Sequence, residues 1–237
     1  MGSSKVALIV GAGSGLSASL ARRFSADGMK IALAARDIPK LDDLTALVDG
    51  RAYACDASDP GQVAKLFADV ADQLGAPELV VYNASRRVRG AITDIDPAEV
   101  KTALMTTVYG GFLVGQQAAR LMIPAGSGTI LFTGASAGVK GFANSATFAM
   151  GKFGLRGLAQ SMARELQPQN IHVAHVVIDG GILNPETGRG PVRAENEAAE
   201  DIWLIPDKIS ETYHHLHHQH RSAWAWEIEL RPWVEKF

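Results

Sequence analysis

Val6-Ala7-Leu8-Ile9-Val10 passes without a polar residue into Gly11-Ala12-Gly13-Ser14-Gly15-Leu16-Ser17, and from Leu16 the spacing turns helical, with Leu16, Leu20 and Phe24 four apart. An apolar run of this length, bounded by glycines, reads as a strand buried on both faces. Strand, glycine loop and helix in that order suit a phosphate group. Glycines let the backbone turn tightly and approach a pyrophosphate, and the N-terminus of the helix stabilises its charge. The spacing is not G-x-G-x-x-G, because Leu16 stands where the last glycine would fall. It fits G-x-x-x-G-x-G with Gly11 and Gly15 in place and Ser17 third. Gly11, Gly13, Ser14, Gly15 and Leu16 are therefore the candidate phosphate contacts, set against the plainer reading of a glycine-rich turn with no ligand.

The pattern repeats along the chain. Ile31 to Ala35, Leu79 to Tyr82, Ile130 to Phe132 and Val173 to Ile178 (apart from His175) are further apolar runs. Helix-period segments separate them: Leu16 to Asp27, Gly61 to Leu74, Glu99 to Ile123 and Ala143 to Leu166. Alternating strand and helix imply right-handed crossovers and a doubly wound parallel α/β sheet with helices on both faces. No repeat or linker divides the 237 residues, so 1–237 reads as a single domain. Asn184 to Glu200, with two prolines and two glycines ahead of several acids, reads as a mobile surface loop. Pro206 to Gln219 reads as a helix and Ala223 to Leu230 as a final strand.

Hydrophobic residues make up 47% and charged residues 20%, an ordinary globular balance, and the net charge of −2 gives no electrostatic footprint for nucleic acid or an acidic membrane. No apolar run approaches the roughly 18 residues of a membrane span. The lone cysteine, Cys55, excludes an intrachain disulfide. Together with a strand that begins almost at once, these features predict a cytoplasmic protein.

The second strand ends at Ala35-Arg36-Asp37. An acid there would bond the ribose of NAD, whereas an arginine suits the extra phosphate of NADP. Arg36 beside Ala35 therefore favours NADP(H) over NAD(H). The alternative is a solvated Arg36 next to an Asp37 that caps the following helix.

In order with the loop come Cys55-Asp56-Ala57, Tyr82-Asn83-Ala84-Ser85 and Ile178-Asp179-Gly180-Gly181-Ile182. With these pieces in register over nearly its whole length, the chain resembles the short-chain dehydrogenase/reductase superfamily. The resemblance implies a Rossmann sheet of about seven strands and hydride transfer between a nicotinamide and a small-molecule carbonyl or alcohol. It places Asp56 and Ala57 near the adenine, Asn83, Ala84 and Ser85 in the turn after the fourth strand, and Gly181 and Ile182 on the nicotinamide side. It also implies a homodimer or homotetramer packed through the long fourth and fifth helices.

Family chemistry uses a tyrosine as proton donor, a lysine one helical turn later, a serine about thirteen residues earlier and an asparagine on the fourth helix. Ala149-Met150-Gly151-Lys152-Phe153-Gly154-Leu155 resembles the lysine stretch and gives Lys152 both catalytic and ribose-binding duty. Phe148 then stands at the tyrosine position, Ala135 at the serine position and Thr107 at the asparagine position. Phenylalanine cannot donate a proton. General acid catalysis contributes about 10²–10⁴-fold, so a slow or unusual oxidoreductase and a catalytically silent nucleotide-binding sensor or scaffold both fit. Ser136, one place from Ala135, is the first substitute donor considered, ahead of Tyr109 and Thr147; Ser145 lies one residue short of a full turn.

The 184–220 segment is expected on the substrate side, with Ile182, Phe142 and Trp203 forming an apolar wall. Five of seven histidines fall within Tyr213-His214-His215-Leu216-His217-His218-Gln219-His220. His214 with His217 or His218 has zinc-ligand spacing, but no third ligand completes a site in the sequence, so an exposed histidine face without metal is expected. The tail from Ser222 to Trp233 alternates like an edge strand with one tryptophan face buried.

Overall fold

The computed structural model describes residues 5–188 and 201–236. Among them, seven strands build one sheet: β1 (Val6–Val10), β2 (Lys30–Ala35), β3 (Arg51–Ala54), β4 (Leu79–Tyr82), β5 (Gly128–Thr133), β6 (Ile171–Ile178) and β9 (Glu227–Leu230). Their order is β3-β2-β1-β4-β5-β6-β9, and every neighbouring pair is parallel. β7 (Gly181–Ile182) and β8 (Trp203–Leu204) form a separate short pair. The helices are α1 (Leu16–Ala26), α2 (Asp42–Val48), α3 (Pro60–Gln73), α4 (Pro97–Leu104), α5 (Gly110–Ala125), α6 (Ala146–Leu166) and α7 (Pro206–His218). This is a Rossmann-type α/β domain, and among the described residues no helix is long and apolar enough to cross a membrane.

The pleat sends successive side chains to opposite faces, and each face is covered. Val6, Leu8 and Val10 of β1 join a core with Val63 and Phe67 of α3, Val114 of α5 and Leu155 of α6. Ala7 and Ile9 turn the other way, to Leu20 and Phe24 of α1 and to Ile209, Tyr213 and Leu216 of α7. The continuous apolar strands follow from this double cover, since neither face meets water.

Two elements differ from the sequence expectation. The helical run expected from Glu99 to Ile123 is interrupted by a π-helical turn at Met105–Tyr109, between α4 and α5. There the Tyr82 hydroxyl, arriving from β4, donates to the Thr106 carbonyl. A side chain inserted in the helical ladder is an ordinary cause of such a turn. The last strand is shorter than Ala223 to Leu230, because Arg221–Ala223 forms a 3₁₀ turn and Trp224 is held ahead of the ladder. Its indole donates to the Gln219 carbonyl at 3.0 Å and its ring stacks on His172 at 4.8 Å. Trp224 and Trp226 are half-buried while Trp233 is exposed.

Candidate functional site

The chain leaves β1 for β2 on one side and later returns to β4 on the other, so the sheet changes winding direction between β1 and β4. Open α/β sheets bind ligands at such a point, beyond the carboxyl ends of the strands. A cleft of about 1080 Å³ lies there, walled by the loops after β1, β4, β5 and β6.

The first wall is the glycine loop. Gly11 has φ +88°, and a Cβ on it would run into the backbone of Ala84. Ser17 locks the loop: its hydroxyl donates to the Gly11 carbonyl at 3.0 Å and accepts from the Asn83 amide at 2.8 Å. Among the described residues, a Cβ on Gly13 would meet nothing within 4 Å. α1 has no side-chain cap and no acid in its first turn, so its unpaired N–H groups and positive pole are left for an anion. These features fit a dinucleotide pyrophosphate.

Ser14, Gly15, Leu16, Asn83, Ser85, Gly181 and Ile182 line the same cleft. Arg36, Asp56, Ala57 and Ala84 are not among its lining residues. Ala84 instead backs Gly11. Asp56 accepts from the Ser58 hydroxyl and amide at 2.7 and 2.9 Å, and these bonds, with the charge of Arg36, outweigh burial and hold its carboxyl below the usual range. Arg36 is exposed just past the end of β2.

The second wall carries the residues expected at the catalytic positions. α6 presents Phe148 and Lys152 one turn apart, and both line the cleft. Lys152 is only 3% exposed, and its ammonium donates to the Thr133 carbonyl at 2.7 Å. Burial pulls its pKa down to about 8. Ala135, in extended backbone, also faces the cleft and carries no hydroxyl. Ser136 lines it and is half-buried.

Thr107, expected at the asparagine position, is buried away from the cleft, its hydroxyl accepting from the Arg86 amide at 3.1 Å. Tyr109 and Thr147 are absent from the lining as well. Tyr109 stacks on Phe112, and the buried Thr147 hydroxyl has no hydrogen-bond partner among the described residues. Ser145, set aside on spacing, is on the wall and buried.

Sequence reasoning missed Arg87. Its guanidinium carbon lies 4.8 Å from the centroid of the Phe148 ring, a cation–π pair between residues far apart in the chain. Beneath the wall sits His175, which fills the space a Cβ on Gly134 would need. His175 Nδ1 lies 3.0 Å from Glu227, whose carboxylate is gripped by Arg156 at 2.6 and 2.7 Å. Burial outweighs that carboxylate and pushes His175 down to about 4, so the neutral ring donates from Nδ1.

Phe142, Ile182 and Trp203 line the cleft as expected, joined by Asn184 and Thr187. The rest of the expected surface loop, 189–200, lies outside the described residues. α7 supplies no lining residue. It packs on α1, where Asp207 pairs with Arg22 at 2.9 Å and Phe24 meets His214 and His217.

A parallel sheet with a glycine loop at its switch point and a buried lysine across the cleft defines a dinucleotide-binding α/β class. The family model for short chain dehydrogenases matches residues 5–188, and the chain belongs to that family of oxidoreductases. It is 31% identical over 222 residues to the trans-4-hydroxycyclohexanecarboxylate dehydrogenase of Sinomonas cyclohexanicum, covering 85% of this chain and 84% of the relative. A short-chain dehydrogenase structure from Rhodopseudomonas palustris superposes with a TM-score of 0.81 at 32% identity, covering 97% of this chain and 99% of that one. A metagenomic short-chain oxidoreductase solved in complex with NADP gives 0.82 at 25% identity, covering 97% and 98%.

Proposed function

We propose that this protein binds NADP(H) and transfers a hydride between the nicotinamide and a small-molecule carbonyl or alcohol, by a mechanism altered at the proton donor. The observation that carries this reading is one cleft holding both the uncapped start of α1 at Gly15 and Leu16 and the buried ammonium of Lys152. The bound cofactor supplies the hydride. The glycine loop and the α1 pole hold the pyrophosphate, with Arg36 near the adenosine ribose to favour a 2′-phosphate. Lys152 holds the nicotinamide ribose, and its lowered pKa lets it exchange a proton near neutrality. Phe148 gives no proton, so Ser136 and solvent are left to protonate the nascent alkoxide.

The domain is taken as one unit over 1–237, with 184–188 and Trp203 closing the substrate side. Phe112 and Ile123 of α5 and Met150 and Phe153 of α6 are exposed, which suits a homodimer or homotetramer built through these helices. A monomeric mass by light scattering at micromolar concentration would remove that part.

The test is a parallel thermal titration with NADPH and NADH on wild type and Arg36→Ala. At about 100 times the dissociation constant a ligand adds about 2.7 kcal/mol, or roughly 5–10 °C for a domain of this size. NADPH is expected to stabilise more than NADH, and Arg36→Ala to erase the difference. No stabilisation by either nucleotide overturns the reading. The absence of a hydroxyl at both Phe148 and Ala135 favours a second reading, a nucleotide-binding sensor or scaffold without catalysis, and the double variant described in the Discussion separates the two.

A further inference from the structure

α7 carries His214 and His218 on one face, four residues apart, to the end of α1. Asp27, just beyond α1, meets them there. His218 Nε2 lies 2.8 Å from Asp27 Oδ2, and His214 Nε2 lies 3.4 Å from Asp27 Oδ1. One ligand atom from each of the three residues falls within 4.8 Å of the others, and the two rings are 4.4 Å apart. His217 is different: it turns inward, with Nδ1 3.0 Å from the Thr129 hydroxyl. His215 and His220 are exposed and outside the group.

We propose that Asp27, His214 and His218 bind one divalent ion of the zinc class, which pins α7 to the end of α1. Metal–ligand bonds of 2.0–2.2 Å in a tetrahedron put donor atoms about 3.3 Å apart. The His214 ring is at about this separation from Oδ1 and the His218 ring is closer to Oδ2, so a metal held by one carboxylate oxygen draws donor atoms now spread over as much as 4.8 Å together, by small rotations of the Asp27 and histidine side chains. Two imidazoles and a carboxylate are a nitrogen–oxygen set suited to zinc, with water at the fourth position. None of the three lines the cleft, so the ion is structural rather than catalytic.

One neighbour opposes the metal. Arg23 Nη2 lies 3.2 Å from His214 Nδ1, which must carry a proton once Nε2 is given to zinc. Two donors would then face each other, so the exposed Arg23 has to swing away. Beyond the histidines nothing local marks this site, because Asp27 is separated from His218 by 191 positions.

The test is titration of the untagged, chelator-stripped full chain with zinc chloride, by calorimetry and by competition with a chromophoric zinc indicator. One zinc per chain is expected, with micromolar or tighter affinity. Asp27→Asn and His218→Ala should each weaken it at least tenfold, Arg23→Gln should tighten it severalfold, and His215→Ala and His220→Ala should leave it unchanged. Zinc at about 100 times its dissociation constant should raise Tm by roughly 5–10 °C. Far-UV circular dichroism confirms that each variant is folded. The proposal is overturned by the absence of stoichiometric binding, by binding that survives both Asp27→Asn and His218→Ala, or by loss in the His215 or His220 variants instead.

Discussion

Under the proposed function, position 148 sets how much chemistry the cleft performs. A tyrosine there would bring a phenol one turn from a buried ammonium, which is the arrangement that makes a phenol acidic enough to donate. Phe148 keeps the ring and loses the donor, while Arg87 lies against the ring face. The double variant Phe148→Tyr/Ala135→Ser restores both hydroxyls on a wall that already faces the cleft. We expect it to reduce a generic dicarbonyl with NADPH about 10–10³-fold faster than wild type, toward the range typical of general acid catalysis. If wild type and variant bind NADPH equally and neither turns over, the sensor reading replaces the enzymatic one. Lys152 was legible because its local context, Ala149 to Leu155, marks it without help from the rest of the chain. Arg87 was not, because nothing in its own neighbourhood says that a loop after β4 will lay it on a ring of α6. Thr107 shows another limit: it is buried away from the cleft with its hydroxyl accepting from the Arg86 amide, a placement set by the loop after β4 and not by its own neighbours in sequence.

The glycine loop separates two uses of glycine within three residues. Gly11 is required by the fold: its φ of +88° and the Ala84 backbone beside it leave no place for a Cβ. Gly13 has ordinary backbone and open space, so a methyl there costs the fold nothing and projects toward the cleft. Gly11→Ala should therefore destabilise by about 3 kcal/mol or more, seen as a lower urea midpoint. Gly13→Ala should stay within about 0.5 kcal/mol of wild type yet weaken NADPH binding about tenfold or more. A Gly13→Ala protein that binds NADPH normally would place the pyrophosphate elsewhere. Elements of this kind were readable because period and punctuation are local. The π-helical turn at Met105–Tyr109 was not, since its cause is the Tyr82 hydroxyl reaching in from β4.

At the scale of the whole molecule, the layered parallel sheet buries polar groups that no local pattern announces. His175 on β6 has no exposed surface, and His217 on α7 is largely covered against β5. Burial, with the neighbouring His218 adding to it for His217, pushes both down to about 4. Burial also lowers His172, against the pull of two backbone carbonyls. In the unfolded chain a histidine titrates near 6.5. Between about pH 6.5 and pH 4 the unfolded state therefore binds protons that the folded state refuses, and stability rises with pH across that window. The contribution of these histidines is complete above the unfolded value and is lost as pH falls through it. Urea melts at pH 7.5 and 5.0 should differ by about 2–4 kcal/mol, with the acid sample weaker, and His217→Gln should shrink the difference. The expected sign is opposite to that of a histidine held charged by an acid, whose stabilisation would grow on acidification. A flat or inverted profile would mean that these rings are solvated in the folded state, and with them the layer of α7 and β9 that closes the sheet.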